Sequence, residues 1–304
     1  MTVEQLTTAV ETQFREISAA LFNGNIRFQE IAATDHVFAE ASPMFGENIL
    51  RYSPTNFRYF YRLEKYLCNV VDLVNVRVIE KGFPKLAVTD TILNLSATEQ
   101  IAAYEDKDVP SHAQFVEHIF ILNLFVFLHE CGHLTQVVSE VEEGPATNHF
   151  GEFNADYFAL TKILQYYNTM KTARPAAYVS RVRTFGSEQH FIRLTIVKAL
   201  TVTYFGVLPN LDSMDTETHP AIRKRFCYLL VQSVQQLNAN FQSLFVSDTL
   251  HDFLVDIFKT MHFLENFVFE TAERLFDNLT VCLSDFKEID EHLKSGSNFQ
   301  SLNP

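Results

Sequence analysis

A mainly α-helical fold carrying one small β-sheet (α+β) is what the sequence predicts, and three observations predict it. Apolar residues recur at helical spacing over most of the chain. Only one region, residues 74–95, alternates in the manner of strands. No internal repeat, low-complexity linker or shift of composition divides the 304 residues, so a single domain is expected.

Taken in order, Thr2 and Gln5 make a capping box for a first helix that stops at the Asn-Gly-Asn of residues 23–25. A second helix is expected after "SPTNF", with Pro54 in its first turn, running to about residue 73. "VNVRVIE", "KGFPK" and "LAVTDTILNL" then read as a β-hairpin, an irregular connection being the alternative. Ser111 with Gln114 caps a helix reaching about residue 141, where "EEGP" ends it. Its middle, "IFILNLFVFL", is apolar all round, which places it at the centre of the domain. After a turn over "EEGPATNHFG", "GEFNADYFALTKILQYY" forms the next helix. Ser187 opens another that ends near "GVLP", and Pro220 opens one through about residue 238. Residues 247–294 read as two more. The expected layout is a helical N-terminal part (1–73), a core (74–240), a helical C-terminal part (241–294) and a disordered tail (295–304).

Composition narrows the function classes. Lys and Arg number 24 against 37 Asp and Glu, a net charge of −13 with no basic cluster, so nucleic acid is not an expected partner. Cys68, Cys131, Cys227 and Cys282 are scattered without a CxxC pair, as reduced thiols of a cytoplasmic protein would be. "MTVEQLTTAVETQF" begins an amphipathic helix and lacks the pattern of a signal peptide. The uninterrupted apolar stretches fall short of the ~18–20 residues that cross a bilayer, so no membrane insertion is expected. The 29 phenylalanines are read as core.

The chemistry lies in "LFVFLHECGHL", residues 124–134. His129 and His133 stand four apart, so on a helix both imidazoles leave one face a turn apart and can share one tetrahedral zinc. Glu130, rotated around the helix, can reach a water at the ion without ligating it; this is the His-Glu-x-x-His arrangement. Glu152 and Asp156 are again four apart on the next helix, which the turn brings back antiparallel. Glu152 would be the third ligand, and Asp156 would take the outward N–H of a ligand histidine. His149 is a rival third ligand, set aside because "NHFG" reads as loop. His118 lies about 16 Å along the helix from His129 and reads as a hydrogen-bonded core histidine. Cys131 points away from the shared face and reads as a packed thiol, and Asn123 as a buried amide with a local partner. Gln136 and Ser139 stand where an extended metzincin motif needs Gly and His.

The paired motifs resemble those of the gluzincin metallopeptidases, whose ligand glutamate is followed four residues later by an aspartate. The short interval from His133 to Glu152 is similar to thermolysin-like enzymes and to the ImmA/IrrE group. "EFNADYFAL" looks more like the HtpX and CaaX-prenyl-protease branch, and "THPAIRKRF" adds that branch's His-Pro and arginine as His219, Pro220 and Arg225, followed by Phe226. The resemblance implies a zincin-like core and a place for His219 and Arg225 in the active site, holding the substrate carbonyl or its oxyanion. Without spanning helices the chain looks like a soluble offshoot, as in the phage-exclusion proteases of the Lit type. The expected function is that of a zinc-dependent endopeptidase acting on a protein or peptide substrate, with Glu130 as general base, in a regulatory, toxin-like or phage-defence role. The alternatives are a non-catalytic zinc-stabilised binding or sensor protein, and a zinc hydrolase of a non-peptide amide or ester.

Overall fold

A computed structural model describes residues 3–22, 26–32, 38–44, 47–61, 63–64, 113–135, 145–205, 225 and 228–233. Most of these are helical: α1 (Val3–Phe22), α2 (Ala113–Thr135), α3 (Pro145–Ala173), α4 (Pro175–Thr184) and α5 (Glu188–Phe205). Residues 55–61 and 63–64 are helical too, following the turn at Pro54. Three strands, β1 (Ile26–Glu30), β2 (Ala39–Met44) and β3 (Glu47–Tyr52), make one sheet in the order β1-β3-β2.

The sheet corrects the expectation that residues 1–73 are helical. The strand-like run at 74–95 lies outside the described residues, as do residues 241–304. β1 runs parallel to β3, pairing Phe28 with Leu50, and β2 runs antiparallel to it, pairing Ala41 with Leu50. Sequence signals were weak here for a physical reason. β2 reads "AEASPM", poor in β-formers, and Pro43 is admissible because among the described residues β2 lies at the edge of the sheet. Tyr52 gives its carbonyl to the Ile31 N–H on the β1 side, so its partner Ala39 belongs to a non-hydrogen-bonded pair. Ala39, Ala41 and Pro43 therefore turn their backbone groups away from β3.

α2 runs through the middle, against α1, the sheet, α3 and α5. Phe127 shows how the parts meet. Its ring lies 5.0 Å from that of Phe14 on α1, 5.3 Å from Tyr52 on β3 and 6.3 Å from Phe57, while Phe28 of β1 stands edge-on to Phe14 at 4.6 Å. The N-terminal part and the expected core of 74–240 thus share one hydrophobic interior. Gln114–Leu134 is in fact long and apolar enough to cross a bilayer. Reading uninterrupted runs missed this, because an average over a helix tolerates the polar residues within it. Some 83% of that span's most apolar stretch is buried inside the protein, as a central helix would be.

Helix ends follow local chemistry. Ser187 Oγ accepts the His190 N–H at 3.1 Å, the N-cap expected for α5. Ser111, expected to cap α2, lies outside the described residues; the Gln114 side-chain amide donates to the Thr184 carbonyl at the end of α4. α3 begins at Pro145, so residues 145–150, expected as loop, are helix, with Pro at a first helical position where its missing N–H costs nothing. Arg174 breaks the helix (φ −137°, ψ 60°) ahead of Pro175, and α4 starts there, anchored by buried Tyr178.

Candidate metal centre

α2 and α3 lie antiparallel: Glu117 meets Tyr167, and fifteen residues further along α2, Gly132 meets Ala155. At Gly132 the helices nearly touch. A Cβ there would stand 2.8 Å from the Ala155 Cα, so only glycine lets the backbones approach this closely. That approach carries Glu152, one turn before Asp156 on α3, to the face of α2 that bears the histidines.

The donor atoms converge. His129 Nε2 and His133 Nε2 are 3.2 Å apart. The Glu152 carboxylate straddles them, with Oε2 3.4 Å from His129 Nε2 and Oε1 3.5 Å from His133 Nε2. These spacings match the edge of a tetrahedron with metal bonds of about 2.0–2.1 Å, which is about 3.3–3.4 Å. The group of His129, His133 and Glu152 could therefore hold a metal ion. Two imidazoles and a carboxylate suit a first-row transition ion over the hard, oxygen-seeking Ca²⁺ and Mg²⁺.

Behind the donors stands a second layer. Asp156, fully buried, has Oδ1 2.8 Å from His129 Nδ1, a close contact between groups of opposite charge. Arg225 grips Asp156 with two bonds, Nε to Oδ2 at 2.8 Å and Nη2 to Oδ1 at 2.7 Å, and sets Nη1 3.1 Å from Glu152 Oε2. It is 8% exposed. The expectation that Arg225 holds a substrate carbonyl meets a different placement: its guanidinium faces the site's own carboxylates. His219 lies outside the described residues, and nothing is described of the His149 side chain beyond its place on α3.

The charges of this cluster are interdependent. Burial would raise Glu152 and Asp156, but the contacts with His129 and Arg225 win and hold both carboxyls below their ordinary range. Burial would likewise lower His129, yet Asp156 and Glu152 lift it to about 10. His133, whose ring centroid lies 4.9 Å from that of His129, is pushed down to about 4 by burial and by the neighbouring charge on His129. Glu130 differs from the other acids. Burial lifts it to about 7, the Glu152 charge adding to the effect while His129, the Ala41 backbone N–H on β2 and Arg225 oppose it.

Sequence reasoning named His129, Glu130, His133, Glu152, Asp156 and Arg225, and the structure brings all six together. It passed over Gly132 and Ala41. Gly132 had a signal, since a glycine inside a helix costs about 1 kcal/mol and needs a packing reason. Ala41 had none, because it contributes only backbone. His118 is, as expected, a bonded core histidine: its Nδ1 sits 2.5 Å from Glu64 Oε1 and its ring stacks on Phe185. Cys131 is a buried free thiol, and Asn123 donates to the Ile119 carbonyl at 2.8 Å. No protein-family pattern, curated protein or solved structure was found to match the chain.

Proposed function

We propose that the chain is a zinc-dependent endopeptidase of gluzincin type, with His129, His133 and Glu152 as metal ligands and Glu130 as general base. The observation that carries this reading is the meeting of two imidazoles and a carboxylate, their donor atoms all within 4.8 Å of one another, beside the buried carboxyl of Glu130. The same two-His, one-carboxylate set also serves non-haem iron; a poised base next to it favours hydrolysis over oxygen chemistry. Bound zinc would polarise the scissile carbonyl and make a water nucleophilic near neutral pH. Glu130 takes the proton of the attacking water at its carboxylate and delivers it to the leaving amine. Asp156 and Arg225 hold the ligands from behind. Among the described residues the outer side of β2 carries no further strand, and an extended polypeptide adding there would lie beside Glu130, which the Ala41 N–H contacts.

An intracellular protein target and a regulatory, toxin-like or phage-defence role complete the proposal, on the strength of the motif resemblance. The test is a proteome-wide cleavage screen of wild type against Glu130→Gln, with the metal content of both measured. Fragments made by wild type and absent with a zinc-loaded Glu130→Gln support the peptidase. Identical fragment patterns with full zinc in both would leave a zinc clasp that ties two helices together, and hydrolysis of small amides or esters alone would point to a non-peptide substrate.

A further inference from the structure

Building on the metal-centre reading, we infer that Arg225 is a positioning residue that restricts Glu152 to one ligating oxygen and clamps Asp156 against His129. The carboxylate of Glu152 presents its two oxygens almost evenly to the histidines, at 3.4 Å and 3.5 Å. Left so, both oxygens would close on an ion between the imidazoles and take up the place that a reacting molecule needs. Nη1 of Arg225 breaks the symmetry. It lies 3.1 Å from Oε2 and nearer to it than either histidine nitrogen is, so that oxygen is drawn to the guanidinium and Oε1 is left for the metal.

The other two nitrogens of the guanidinium act on Asp156. Its Oδ1 is shared between Arg225 Nη2 at 2.7 Å and His129 Nδ1 at 2.8 Å. Fixing that oxygen fixes the ring whose opposite nitrogen is the ligand. One planar fork therefore spans two carboxylates a helical turn apart, which a lysine with its single nitrogen cannot do. An ordinary core ion pair would need only Asp156; the reach to Glu152 is what gives Arg225 its further task.

The test compares wild type with Arg225→Lys, both titrated with cobalt(II) and checked for fold by circular dichroism. The expected result is a folded variant that binds cobalt about 10–100-fold more weakly. Its visible d–d absorption should also weaken, because the second Glu152 oxygen joins and coordination number rises. Equal affinity and an unchanged spectrum would overturn the inference and reduce Arg225 to a structural ion pair. Should Arg225→Lys not fold, zinc K-edge fine structure of the wild type decides: one carboxylate oxygen with two nitrogens supports the assignment, and two oxygens at equal length overturn it. A wild type that takes up neither ion would sink the metal-centre reading itself, a result distinct from a cobalt-binding wild type with an indifferent Arg225→Lys.

Discussion

Glu117 and His118 stand side by side near the start of α2, and His129 and Glu130 stand side by side near its end. The same two residue types meet opposite surroundings. At the first end every charge is matched by one of the other sign. Arg181 Nη1 reaches both Glu117 oxygens, at 2.5 and 2.7 Å, and the Tyr167 hydroxyl donates to Oε1. Glu64 bridges His118 and Lys198, each at 2.5 Å, and is only 1% exposed. At the other end two imidazole nitrogens face each other across 3.2 Å with a carboxylate between them, and one arginine serves two acids. A buried histidine is structural where it is tied into a closed set of ion pairs; where donor atoms converge on one point, as at His129, His133 and Glu152, the group could hold a metal ion.

Substitutions at the two ends should therefore fail in different ways. The largest effect is expected from Glu130→Gln: on a substrate named by the cleavage screen, turnover should fall by about 10²–10⁴-fold while bound zinc stays constant. At the opposite end, Lys198→Met removes the cation beside the buried Glu64 carboxylate and leaves it the His118 contact; stability should fall by about 1–3 kcal/mol in denaturant titrations, with metal affinity of the folded protein unchanged. Asp156→Asn should weaken metal affinity by about 10–100-fold in competition with a chromophoric chelator. If it instead costs stability alone, the two ends are alike and the comparison fails.

Gly132→Ala should cost about 1–3 kcal/mol by forcing α2 and α3 apart, and unlike Lys198→Met it should loosen the metal as well. The smallest effect concerns pH. Burial, with Lys198 adding to it, lowers the His118 pKa against the pull of Glu64, and Lys198 and His118 hold Glu64 down to about 2 against burial. Both groups bind protons more readily unfolded than folded. Their stabilisation is therefore fully present above the unfolded pKa values of 6.5 and 4.5 and declines as pH falls below them. Melting temperature should drop between pH 7 and 5, and His118→Gln should flatten that slope.

The helices and the donor residues were legible because each rests on spacing along one element. His129 and His133, or Glu152 and Asp156, need only the 3.6-residue turn to come together. The sheet was not legible, because β2 offers Ala, Ser and Pro and is held by register with β3, not by its own propensity. Nor could sequence show that Arg225 faces Glu152 and Asp156, since 69 residues separate it from Asp156 and only the packed fold joins them. Gln114 teaches the same lesson: no spacing along the chain could show that its amide reaches a carbonyl 70 residues away.

The near-contact of Gly132 with Ala155 has one more consequence. Main chain resting on main chain cannot shrink or swing aside as side chains do, so the helices can come no nearer at this level. The frame is thereby fixed, and any adjustment to the size of an entering ion falls to the rotation of the imidazoles and the carboxylate, not to sliding of the helices that bear them.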